Sequence, residues 1–226
     1  MLEVYPSINC PHKDFECVRQ KVRKSESFAQ WIHLDIADAR LALSKSWDEP
    51  ERWGELGTKL NLEVHLMVEE PEREIEKWLK AGAKRIIVHI EAISKRHPCV
   101  PSCDASELLK KLQSACGKHG VSLMLAILPE TPIETLRESC FKDIREFQVF
   151  AQAVLGPPGQ KFLPMTVDRI KLLREMTPDA TIEIDGGINL ETARAVRVAG
   201  ANIVIAGSYT LGSPDPKKAY EELVNA

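Results

Sequence analysis

The stretch Leu62-Glu63-Val64-His65-Leu66-Met67-Val68, then Pro71–Ala81, then Arg85-Ile86-Ile87-Val88-His89-Ile90 decides the fold. Its two apolar runs are of strand length, and Ile86–Ile90 carries apolar residues on both sides of the alternation. That pattern suits a parallel strand covered on both faces. The segment between them has the period of an amphipathic helix, with Ile75, Trp78 and Leu79 on one face, and Gly82 follows as a stop. Strand, helix and strand within thirty residues make one β-α-β unit.

The same alternation extends in both directions. Apolar runs stand at Leu2–Ile8, Trp31–Ile36, Leu62–Val68, Arg85–Ile90, Val121–Leu128, Phe147–Val154, Thr181–Ile184 and Asn202–Ala206. Helical patterns between them include Ala105–Cys116, Val167–Met176 and Leu190–Ala199. Asp104 is placed to cap the first of these, and Gly117 and Gly200 read as stops. Eight strands, each followed by a helix, predict a parallel sheet. An open doubly wound sheet would place a Gly-rich turn after the first strand, and Ser7–Asn9 is not one. The expectation is therefore a closed (β/α)₈ TIM barrel, an α/β fold. The 226 residues suit one such barrel, which takes roughly 250. With no linker or break in composition, residues 1–226 read as a single domain.

Composition narrows the function. Lys and Arg number 30 against 33 Asp and Glu, a net charge of −3, which offers no global attraction to nucleic acid or anionic membranes. The apolar runs are far short of a membrane span, and the N-terminus lacks a basic-apolar leader, so the expected compartment is the cytoplasm. Six cysteines scattered at 10, 17, 99, 103, 116 and 140 are expected as free thiols. His97, Cys99 and Cys103 lie close in sequence, but a zinc site there would lack a fourth ligand nearby.

Barrel enzymes place their chemistry at the C-terminal ends of the strands. The second run ends His33-Leu34-Asp35, the third His65-Leu66-Met67, the fourth His89-Ile90-Glu91 and the seventh Asp185-Gly186-Gly187. Residues two apart on a strand share a face, so His33 and Asp35 point together into the barrel mouth. Alone, an inward histidine is more often hydrogen-bonded core, and a strand-end aspartate often caps the next helix. Two histidines and two carboxylates on one rim (His33, Asp35, His65 and Asp185) instead suit a divalent metal. Zinc comes first, with iron, manganese or cobalt accepting the same donors. Gly186-Gly187 and Gly207-Ser208 follow the last two strands, the usual phosphate site of this fold. Each pair alone serves equally as a tight turn. The loop Gly156–Gln160, with Gly156 and Gly159, is placed to close over the same group.

With these residues in place, the chain resembles the ribulose-phosphate 3-epimerase family, a barrel of the ribulose-phosphate-binding type. The resemblance runs through Tyr5-Pro6-Ser7-Ile8, His33-Leu34-Asp35-Ile36-Ala37-Asp38, His65-Leu66-Met67-Val68 and Leu128-Pro129-Glu130-Thr131-Pro132. It continues through Gly159-Gln160-Lys161-Phe162, Ile184-Asp185-Gly186-Gly187-Ile188, Gly200-Ala201-Asn202 and Ala206-Gly207-Ser208, and ends at Asp215-Pro216. It implies one divalent metal on His33, Asp35, His65 and Asp185, with Asp35 and Asp185 as the acid/base pair. It implies D-ribulose 5-phosphate, interconverted with D-xylulose 5-phosphate in the pentose phosphate pathway through a metal-stabilised enediolate. Ser7, His65 and Met67 would lie at the sugar, and backbone at Gly186, Gly187, Gly207 and Ser208 at the phosphate. A homo-oligomer, dimer or hexamer, is implied as well.

The chain also departs from the family. Ala37 stands where the family has Met, and Ala39 where it has Gly. Arg40–Ser44 replaces a polar-aromatic loop, and Ala151–Gly159 replaces Met-Thr-Val-x-Pro-Gly-Phe-Gly-Gly, which reads Ala151 as a second lost methionine. Pro157 and Pro158 each remove an N–H donor from the phosphate loop. Two lost methionines would leave room for another carbon, so an epimerase of a six-carbon ketose phosphate such as allulose 6-phosphate is one alternative. A non-catalytic sugar-phosphate-binding barrel is another. The decarboxylase and hexulose-phosphate synthase group needs Asp-x-Lys-x-x-Asp at a strand end, and the second run has no lysine.

Overall fold

The computed structural model describes residues 2–94, 103–137, 141 and 143–226, with the side chains of 103–105 excepted. The strands are β1 (Glu3–Tyr5), β2 (Ser7–Ile8), β3 (Trp31–Ala37), β4 (Asn61–Met67), β5 (Arg85–His89), β6 (Ser122–Ile127), β7 (Glu146–Phe150), β8 (Thr181–Asp185) and β9 (Ile203–Ile205). All pair in parallel, in the order β1-β9-β8-β7-β6-β5-β4-β3-β2. The first apolar run thus supplies two strands. Pro6 has no N–H to give a ladder, so Glu3–Tyr5 pairs with β9 while Ser7–Ile8 pairs with β3. One chain segment thereby joins the two ends of the sheet, and the barrel closes.

Around it lie α1 (Phe15–Ser25), α2 (Pro71–Lys80), α3 (Ile90–Ser94), α4 (Cys103–Lys118), α5 (Thr166–Met176), α6 (Leu190–Ala199), α7 (Ser208–Leu211) and α8 (Pro216–Val224). After β3 and β6 the described residues of the connections hold three-ten helices, at Pro50–Leu56 and Ile133–Arg137, and no α-helix such as was expected after every strand. The expected ends hold at α2 and α6, where Gly82 and Gly200 take φ of 100° and 113°. Gly117 does not stop its helix. α4 runs on to Lys118, and the left-handed residue is Gly120 at φ 65°. The cap expected from Asp104 lies outside the described side chains. At α6, Asn189 Oδ1 accepts from the backbone N–H of Glu191 and Thr192, and Thr192 Oγ1 in turn accepts from Asn189 N–H at 2.8 Å.

The main apolar core lies between strands and helices. It includes Ile86 and Val88 of β5, Trp78 of α2, and Trp47, whose ring sits 5.9 Å from that of Trp78. Inside the barrel the apolar plugs are small: Tyr5, Ile203 and Ile205 in one, Ile87, Met124 and Ala126 in the other. Six further inward positions are polar and fully buried: His33, Glu63, His65, His89, Gln148 and Glu183. A buried polar set of that size must be internally paired. No helix among the described residues is long and apolar enough to cross a membrane.

The expectation of free thiols is corrected at one pair. Cys10 and Cys17 form a disulfide, with Cα atoms 5.9 Å apart. Cys17 sits in the first turn of α1, where Asp14 accepts from its N–H at 2.9 Å, and this folds it back against Cys10. Sequence separation alone does not reveal that approach. Cys116 is free and buried, and burial pushes its thiol up to about 12. Iodoacetamide at pH 8 should therefore leave Cys116 unmodified in the native protein, while a non-reduced digest yields the Cys10–Cys17 linked peptide. Rapid native alkylation of Cys116 would refute the packing described around it. His97 and Cys99, with the side chain of Cys103, lie outside what is described, and so does most of the loop expected at Ile93–Cys103. Of that loop, Ile93 and Ser94 end α3 and Cys103 begins α4.

Ala39 has φ 59°, a left-handed conformation that costs a residue with a Cβ roughly 1–2 kcal/mol. Ala39→Gly should raise stability by about 1 kcal/mol, the larger chain entropy of glycine offsetting part of the gain. Equilibrium urea unfolding measures it, and a lower midpoint would contradict the strain.

Candidate active site

β3 carries His33 and Asp35 inward, β4 carries His65, and β8 carries Asp185; in register, Asp35 lies beside His65. The four side chains converge. His33 Nε2 is 3.2 Å from Asp35 Oδ1 and 3.9 Å from Asp185 Oδ2. His65 Nδ1 is 3.4 Å from each of these oxygens and 3.3 Å from His33 Nε2. Metal–ligand bonds of about 2.1 Å in tetrahedral array separate their donor atoms by roughly 3.4 Å. The observed separations are of that size, so the set fits a divalent cation. The donors also demand positive charge. Two ring nitrogens face each other at 3.3 Å between two carboxylates, which requires protons or a cation among them.

Electrostatics without a metal agree. Burial pushes the His33 imidazole down, but the charge of Asp35 and hydrogen bonds to Asp35 and Glu63 outweigh it and hold the ring well above the usual range. His65 is raised in the same way, burial being overcome by Asp185 and Asp35. For Asp35, burial acts upward, yet the charge and hydrogen bonding of His33 keep the carboxyl well below the usual carboxylate range.

Outer partners set the orientations. Ser7 Oγ donates to Asp35 Oδ2 at 2.7 Å, leaving Oδ1 to the cluster. Glu63 Oε1 lies 2.7 Å from His33 Nδ1, which fixes the hydrogen on Nδ1 and turns Nε2 to the centre. Arg85 donates to Glu63 Oε2 at 2.8 Å and to Glu146 at 2.9 Å. Glu183, inward and wholly buried, is pushed well above the usual range by burial and by the charge of Glu63. Glu63 and Glu183 stand two residues before His65 and Asp185, on the same inward face, and stepping back along that face would have found them.

The pocket above the cluster is lined by Ser7, Asp35, Met67, Gly156, Gly159, Asp185, Gly186, Gly187, Gly207 and Ser208. All of these are residues singled out in the sequence. His33 and His65 lie beneath its floor, so the sugar contact expected of His65 is not brought to the pocket wall. Asn9, Phe150 and Gln152 line the pocket and carry no sequence signal of their own. Phe150 packs with Ala37, Met67 and Leu155, whereas Ala151 belongs to the core outside the barrel. The wall is thus closed by an aromatic ring, and the reading of Ala151 as a lost pocket methionine is corrected: β7 ends at Phe150, which is the residue that faces the pocket. Gly186 and Gly187 have φ of 111° and 67°, and a Cβ on Gly187 would meet Phe162 N at 2.5 Å. The 156–162 loop closes against this turn, and Asn9 Nδ2 donates to Gly156 O at 3.0 Å.

Known proteins place this arrangement. A model of the ribulose-phosphate 3 epimerase family matches residues 3–211. The chain is 34% identical over 233 residues to a ribulose-phosphate 3-epimerase of Bacillus subtilis, covering 99% of this chain and 98% of that one. It is 35% identical over 205 residues to the enzyme of that name from Chlamydia trachomatis, covering 87% and 81%. Among solved structures, a 3-hexulose-6-phosphate synthase superposes with a TM-score of 0.69 at 16% identity over 98% of both chains, a likeness of fold alone. The chain belongs to the ribulose-phosphate 3-epimerase family, a family of isomerases.

Proposed function

We propose that the chain epimerises C3 of a phosphorylated ketose, D-ribulose 5-phosphate to D-xylulose 5-phosphate, by passing protons between C3 and the pair Asp35 and Asp185. The observation that carries this is the pair itself: two carboxylates, from β3 and β8, line one pocket over one two-histidine cluster. Inversion at carbon needs a group on each face, one accepting the C3 proton and the other returning one. Ser7 orients the Asp35 carboxylate by its hydrogen bond to Oδ2. His33, Asp35, His65 and Asp185 would hold one divalent metal, zinc first among those that fit. When bound, that ion supplies positive charge beside the enediolate left when C3 loses its proton.

Backbone N–H groups at Gly186–Gly187 and Gly207–Ser208 would receive the phosphate, with the Gly156–Gly159 loop across from them. Phe150 and Met67 line the wall where a lost methionine was expected to leave room for another carbon, which supports the five-carbon reading. The test is exchange of the C3 proton in D₂O across a panel of five- and six-carbon ketose phosphates. Fastest exchange is expected with D-ribulose 5-phosphate. A faster six-carbon substrate would overturn the substrate assignment, and exchange with none would leave a binding barrel.

A further inference from the structure

His65 turns Nδ1 to the four-residue centre, so its Nε2 faces away, and there it meets His89 Nε2 at 2.8 Å. The ring centroids are 4.9 Å apart and the planes 23° from parallel, so the rings meet edge to edge. Two ring nitrogens at that distance share one hydrogen, and one of them must offer a lone pair. His89 is fully buried at the end of β5, and its Nδ1 lies 3.4 Å from Glu91 Oε2. Neither of these two atoms has another hydrogen-bond partner among the described residues. Glu91 is itself fixed. Its Oε1 accepts from Leu128 N–H at 2.9 Å and from Thr131 Oγ1 at 2.6 Å. Arg169 pins that same turn by donating to the carbonyls of Leu128 at 2.9 Å and Thr131 at 2.8 Å.

The direction of the hydrogens follows from the fixed end. Leu128 N–H can only donate, so Glu91 presents acceptors, and His89 must put its hydrogen on Nδ1. His89 Nε2 then offers its lone pair, and His65 must carry hydrogen on Nε2. We propose that Glu91 and His89 are positioning residues that hold His65 in the form whose Nδ1 lone pair faces the metal. This rests on the metal reading above.

The decisive variant is Glu91→Gln, nearly isosteric. Leu128 N–H holds the amide oxygen, so the NH₂ turns toward His89 Nδ1, which must become an acceptor. The inversion passes through His89 Nε2–H to His65, whose hydrogen is driven onto Nδ1. Zinc(II) affinity, measured by chelator competition, is expected to fall about 10- to 100-fold. Imidazole ¹⁵N shifts in the metal-free protein should show His89 as Nδ1–H in the wild type and Nε2–H in the variant. His89→Gln, which can still accept from His65 and donate to Glu91, should bind zinc(II) close to wild type, whereas His89→Leu should not.

Wild-type affinity and unchanged ¹⁵N shifts in Glu91→Gln would overturn the relay. If Glu91→Gln does not fold, equal affinities in His89→Gln and His89→Leu would overturn it. Should the wild type bind no zinc(II), the metal reading fails, and the ¹⁵N shifts still decide the relay.

Discussion

Asp35→Asn and Asp185→Asn proteins are each expected to lose C3 proton exchange with solvent by about a thousandfold, within the span that a positioned acid/base group contributes. The amide keeps the size and planarity of the carboxylate, but it is a far weaker base and cannot hold a transferable carboxyl proton. Each residue lines the pocket, so each reaches a substrate directly. Each also faces both histidines, within 4 Å of a ring nitrogen, so metal content must be read beside the rate. A variant that keeps its metal and loses exchange isolates the proton-transfer role. Full exchange in either variant would exclude a two-carboxylate mechanism.

Arg85→Met should destabilise the fold by about 3–5 kcal/mol, the cost of removing one partner from a buried ion pair. Glu63 is wholly buried, and its Oε2 is held by Arg85 at 2.8 Å. Without the guanidinium, Glu63 keeps His33 as its partner among the described residues, and Glu183 stands close by with a carboxyl already raised by burial and by the charge of Glu63. Arg85 also reaches Glu146 and lies over the Trp31 ring, 5.3 Å from its centroid. Methionine replaces the packing of that stem but none of its charge. Guanidinium unfolding reads the change, and a loss under 1 kcal/mol would mean that the polar layer relaxes around the gap, against the ordinary cost of an uncompensated buried charge.

The barrel was legible because strand and helix periods alternate along nearly the whole chain, as in Arg85–Ile90 after Pro71–Ala81. The four-residue centre was legible because side chains two apart share a strand face, which puts His33 with Asp35. Other features depend on contacts between distant segments. The split at Pro6 shows only when β1 and β2 pair with opposite ends of the sheet. Glu63 and Glu183 sit inside apolar runs, where one charged residue reads as an interruption rather than as a layer beneath the site. Phe150 was missed because the apolar run Phe147–Val154 does not mark where β7 ends, and one residue shifts a strand side chain to the opposite face. The Cys10–Cys17 bond depends on how α1 folds back, which local spacing does not encode.

As proposed above, His33, Asp35, His65 and Asp185 hold one divalent metal on which epimerisation depends. Elemental analysis of the purified protein, paired with C3 proton exchange before and after chelation, tests it most directly. About one equivalent of divalent metal per chain is expected, with exchange lost on its removal and regained when the ion is returned. Metal-free protein exchanging the C3 proton at the full rate would contradict it.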